Sequence, residues 1–157
     1  MDLGLNAVWY DLAENDREPH LRWLHERHLP ALRARQGHVW VAHFQAVMAR
    51  TGADRSQLSE TSDPAVGRGT QFLLLIGAPS VDTFFAKAKS SADDWLHSSE
   101  VKTEMARRLE CRRCIYVEEA RINGPQYGDA SLDGCPGPVI QLGSFNTKRV
   151  EDADELG

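Results

Sequence analysis

Trp23-Leu24-His25-Glu26-Arg27-His28-Leu29-Pro30 is the stretch on which the reading of this chain turns. At about 100° per residue, Leu21, Leu24, His25, His28 and Leu32 fall on one side of a helix, with His28 between Leu24 and Leu32. A titratable ring among aliphatic side chains on a core-facing stripe needs a partner or a task. On the same count Trp23 projects from the opposite side, as an exposed indole suited to a loop or a second subunit. Pro30 lacks the N–H that would bond the Glu26 carbonyl, so the regular helix is expected to kink or end near it.

Upstream, Leu5 to Leu12 reads as a strand closed by the polar turn Ala13-Glu14-Asn15-Asp16, and the helix runs from about Asp16 or Arg17 to Arg35, with Pro19 in its first turn. Downstream, Gly37 ends the unit and His38 to Val47, rich in β-branched and aromatic residues, is a second strand. Residues 49–69 form a long polar connection of the kind that serves as a functional lid or stays disordered. Gln71 to Gly77 is a third strand, apolar without alternation and therefore covered on both faces. Ser80 caps a helix to about Lys89, and a second helical piece, Ser98 to Leu109, carries Val101, Met105 and Leu109 on one stripe. Cys111 to Arg121 is a fourth strand, re-entering the sheet beside the first. The order β-α-β-β-α-β is the split-βαβ, ferredoxin-like pattern, an α+β fold with both helices on one face of an antiparallel sheet.

This unit spans residues 1–122. A Gly/Pro-rich linker, 123–138, follows, and 139–157 opens with Val139-Ile140-Gln141-Leu142 before a charged helix start. That segment reads either as the start of a second repeat, which would make the chain part of a tandem protein, or as a C-terminal strand that docks on the sheet or a partner.

Composition narrows the function classes. A formal net charge of −5 without a basic run argues against a nucleic-acid or anionic-membrane binder. The longest apolar run, Phe72 to Ile76, is too short to span a bilayer, and Met1-Asp2-Leu3-Gly4 lacks the parts of a signal peptide, so a cytoplasmic protein is expected. Three cysteines make no disulfide framework. Cys111-Arg-Arg-Cys114 has CxxC spacing but no second ligand pair, and it runs into a strand rather than opening a helix, so it reads as structural. His25-Glu26-Arg27-His28 falls one residue short of the HExxH zincin spacing, and no metal site is assigned. Gly67-Arg68-Gly69 lacks the Lys-Ser/Thr of a phosphate loop and leads into a strand.

With that element order, Trp23 to Pro30 followed by Gly37-His38 and strand Val39 to Gln45 resembles the EthD-like branch of the dimeric α+β barrel superfamily. In motif the resemblance covers about Arg22 to Phe44. It implies that two ferredoxin-like units pair their sheets into a barrel, as a homodimer or as tandem halves. It also implies a pocket between sheet and helices that takes a small hydrophobic, aromatic or polyketide-like molecule. Members of the superfamily include cofactor-free monooxygenases, cyclases, isomerases and dehydratases; other branches bind haem, and some have no known activity. Fold membership does not choose among them.

The residues read beside that resemblance give a candidate list. His28 is the expected general base, a neutral imidazole held in apolar surroundings. His43, an imidazole among valines on the second strand, is expected to face it across the cleft, with His25 at the pocket edge. Trp9, Trp40, Phe44 and Phe72 would suit the pocket wall, core packing being the other reading for each. The expectation is a cofactor-free lyase, isomerase or oxygenase; the alternative is a non-catalytic ligand-binding or assembly module of the same fold.

Overall fold

A computed structural model describes residues 4–47, 66–86, 91–119 and 140. Strand β1 (Gly4–Leu12) leads into helix α1 (Glu14–Trp23), which continues through a π-helical turn (Leu24–His28) into α2 (Leu29–Ala34). Strands β2 (Trp40–Gln45) and β3 (Phe72–Ala78) follow, then a 3-10 turn (Val81–Phe84), helices α3 (Ser91–Leu96) and α4 (Ser99–Met105), and strand β4 (Arg108–Val117). The four strands form one antiparallel sheet in the order β2-β3-β1-β4. Each helical connection thus joins two strands that flank a third, the interleaved arrangement expected of the element order. No helix among the described residues is long and apolar enough to cross a membrane.

Alternation along the strands assigns the two faces. Leu24, Leu29 and Leu32 from the long helix pack with Val41, Leu74, Ile76, Ala78 and Phe84, with Val8 and Ile115 at the margin. On the opposite face Ala7, Trp40, Ala42, Leu73 and Leu75 form a second cluster, joined by Leu5, Trp9, Phe44 and Ile140. All seven residues of β3 are buried, as its unbroken apolar run requires of a central strand. Trp40 lies flat on Gly77, where a Cβ would stand 2.4 Å from the indole ring.

Three local expectations are refined. Regular α-helical bonding gives way just before Pro30, as expected, but the helix does not end there. The Leu29 N–H bonds the Leu24 carbonyl five residues back, so the chain takes a π-turn immediately before the proline and stays helical to Ala34. Past Ser80, whose hydroxyl accepts from the Asp82 N–H, the described residues form only the short 3-10 turn, and α3 was not anticipated. Ser98 does cap α4, but that helix stops at Met105, and Leu109 belongs to β4, where it is half-exposed. The segment expected as a second repeat or docking strand lies outside the described residues except for Ile140, as does most of the 49–69 connection.

Candidate functional site

The π-turn decides which rings meet. Trp23 and His28 are five residues apart, about 140° around an α-helix, yet on the widened turn they stack at 4.9 Å with planes 19° apart. Trp23 is therefore not the free surface indole expected. It is half-buried, its Nε1–H donates to Glu100 Oε1 at 2.9 Å, and Arg27 binds the same carboxylate at 2.5 Å. Trp95 of α3 approaches His28 from another side at 6.0 Å. His28 is 6% exposed, and burial, helped by the Arg108 and His20 charges, pushes its pKa down to about 3. Its Nδ1 is buried and has no hydrogen-bond partner among the described residues.

His43 points to the helix side of β2 and makes a different set of contacts. Tyr10, fully buried on β1, shares a hydrogen bond between its hydroxyl and His43 Nε2 at 2.8 Å, and His43 Nδ1 meets His25 Nε2 at 3.3 Å. Phe72 stacks on both Tyr10 and His43, at 5.4 and 5.6 Å. Burial, then the His25 and Arg108 charges, holds the His43 pKa down to about 3, and burial raises the Tyr10 phenol to about 12. His25 is exposed and lines an open groove of about 530 Å³ with Glu14, Arg17, Glu18, Leu21 and Arg22. A continuous polar chain therefore runs from the core to this groove: Tyr10, His43, His25.

Below it sits a group that the sequence did not advertise. His20, fully buried on α1, meets Glu104 Oε2 through Nδ1 at 3.2 Å and accepts from Arg108 Nε through Nε2 at 3.3 Å. Burial and the Arg108 charge lower its pKa against the opposing pull of Glu104. Arg108 lays its guanidinium 4.2 Å from the Tyr10 ring centroid. It reaches this side of the sheet only through a bulge. Trp9 pairs with Arg112 but Asp11 with Leu109, so Glu110 and Cys111 share the place opposite Tyr10, and Glu110 takes φ 49°. Without the extra residue, the alternation would turn Arg108 to the face of Trp9 and Arg112.

The segment Gly67-Arg68-Gly69 holds this bulge. The Gly69 N–H donates to the Glu110 carbonyl at 2.7 Å and the Arg68 N–H to the Glu110 carboxylate at 3.0 Å. A Cβ on Gly69 would come within 2.5 Å of Tyr10 Cα, and one on Gly67 within 2.4 Å of the Glu110 carbonyl carbon.

Of the residues singled out from sequence, His25, His43 and Phe72 gather in one constellation, and His28 lies in a neighbouring one with Trp23 and Trp95. Trp9, Trp40 and Phe44 sit on the other face of the sheet and line nothing near either histidine. Tyr10, His20, Glu104 and Arg108 were missed. His20, Leu24 and His28 recur every four residues, a spacing that could have drawn attention to His20; Arg108 was hidden by its assignment to a helix. Among the described residues, no group of three or more His, Cys, Asp or Glu side chains is placed to hold a metal ion. Family models, curated proteins and solved structures yield no match to this chain.

Proposed function

We propose that this chain is a cofactor-free enzyme of the EthD-like, dimeric α+β barrel type, a lyase, isomerase or oxygenase that removes a proton from a small carbonyl- or phenol-bearing molecule. The observation that carries the reading is the unbroken chain Tyr10–His43–His25, which ends in a groove open to solvent. The chain has two polarities. In one, the Tyr10 O–H donates to His43 Nε2 and the His43 Nδ1–H to His25 Nε2, which leaves His25 without a free lone pair. In the other, the His25 Nε2–H donates to His43 Nδ1 and the His43 Nε2–H to the Tyr10 oxygen. His25 Nδ1 is then a free acceptor, and the imidazolium formed on proton uptake is held by a neutral imidazole behind it. His43, with its depressed pKa, is suited to that supporting part rather than to taking the proton itself. The same reasoning moves His28 from base to hydrogen-bond partner.

Hydrogen–deuterium exchange at the acidic carbon of aryl ketones and acyl phenols, followed by NMR, tests this reading. Wild-type protein is expected to accelerate exchange, His25→Ala and His43→Gln to lose about 10²-fold or more of that acceleration, and Tyr10→Phe to lose less. Exchange no faster than in buffer across the panel would favour the second reading, a non-catalytic ligand-binding or assembly module. The shallow form of the groove, in which Leu21 is the one apolar wall, speaks for that alternative.

The barrel rests on the resemblance of the Trp23–Pro30 segment: on the second sheet face Ala7, Trp40, Ala42, Leu73 and Leu75 are already buried within the single chain, and the half-buried Leu5, Trp9 and Phe44 are what another sheet would meet. Sedimentation equilibrium is expected to give twice the 17.5 kDa chain mass. A monomer would leave this face to the chain's own residues, of which Ile140 already packs there.

A further inference from the structure

Among the described residues no carboxylate pairs with Arg108: Glu104 is taken by His20 and Arg107, and Arg107 also pairs with Asp16. Arg108 itself is left with a neutral imidazole at Nε, an aromatic face, and a buried Nη2 without a partner. A guanidinium drawn into the interior is costly unless an opposite charge or a full set of acceptors meets it. A cation–π contact returns only part of that cost. The second open valence in the neighbourhood is His28 Nδ1, on a side chain 6% exposed, and the Arg108 charge is felt at His28, His20 and His43 alike. The chain reaches this arrangement through a non-glycine residue at positive φ, an unfavourable conformation that persists where the surroundings enforce it.

We infer that Arg108 and His28 form a binding site for the carboxylate of a small organic monoacid, between β1, β4 and the first helix. Two free N–H donors, Arg108 Nη2 and a His28 Nδ1–H, suit the two oxygens of one carboxylate. The charge available is +1, since the surrounding imidazoles are neutral and Glu104 is already paired, which favours a monoanion over phosphate or sulfate. Tyr10, Trp23 and Trp95 supply aromatic surface for the organic part. Arg108 lies on the edge strand β4 and is half-buried as a residue, although its Nη2 is covered. The site does not depend on the His25 chain; a protein without catalytic activity would have it as well.

Acetate and benzoate, titrated at constant ionic strength against a chloride control, test the inference in the full chain. Both carboxylates are expected to raise the melting temperature and to shift the Arg108 Nε–H and His28 ring resonances, with saturation. Arg108→Gln is expected to weaken binding roughly 10- to 100-fold and His28→Gln less, whereas His25→Ala leaves it unchanged. Chloride matching the carboxylates would overturn the ligand class. Silent Arg108 resonances in the wild type, or undiminished benzoate binding in Arg108→Gln, would overturn the site, and the wild-type titration decides even if the variant does not fold.

Discussion

Acidifying the protein from about pH 7 to about pH 5 is expected to remove up to about 4 kcal/mol of folding stability. Two side chains supply this figure, and buried His20, lowered in the same direction, adds to it. His28 and His43 have folded-state pKa values of about 3 against an ordinary 6.5. Between those limits the unfolded chain binds protons that the folded chain refuses, so stability rises with pH across this window and falls as pH drops below 6.5. At about pH 5 each ring contributes close to 2 kcal/mol of loss, slightly less for His43, which is the more exposed. Single domains hold only about 5–15 kcal/mol in all, so the urea midpoint should move sharply. His43→Gln should flatten the acid limb by about half, because glutamine has no proton to gain. A midpoint constant over this range would show that the rings are solvated rather than buried.

Gly69→Ala is expected to cost about 2–3 kcal/mol, a large effect for one methyl group. The obstacle is main chain, since the new Cβ meets Tyr10 Cα at 2.5 Å and the Glu110 oxygen at 2.7 Å, and neither can rotate away. Relief requires lifting the 67–69 strap and breaking the 2.7 Å bond from Gly69 to Glu110. That bond holds the bulge that turns Arg108 inward, so the substitution should also weaken carboxylate binding and change the His20 and Tyr10 ring resonances. Urea denaturation measures the first effect and NMR the second. A loss below about 0.5 kcal/mol would mean that the strap is not fixed to the bulge.

The sheet was legible because its signals are local. β-branched and aromatic runs at residues 5–12, 38–47 and 71–77 mark three strands, and the placement of helices between them dictates the interleaved order. The site was less so, for two reasons. Helical projection at a fixed angle assumes an uninterrupted α-helix, and the π-turn at Leu24–His28 moves Trp23 by most of half a turn, from solvent onto His28. Strand alternation assumes no bulge, and at Glu110 one extra residue changes the face of everything before it in β4, Arg108 included. Both are single-residue departures from a regular period, and neither has a composition of its own. Alternation divides β2 into Val41/His43 and Trp40/Ala42/Phe44, but which set meets the helices depends on long-range packing.

The widened turn also sets a phase between the two halves of the long helix. α1 presents His20 to Glu104 and Arg108, whereas α2 presents Leu29 and Leu32 to β2 and β3. Removing any one residue from 24–28 would restore a uniform pitch and swing one half by about 100° against the other. Substitutions at exposed Glu26 should be tolerated, yet loss of the same codon should not. In this segment the residue count matters as well as the side chains.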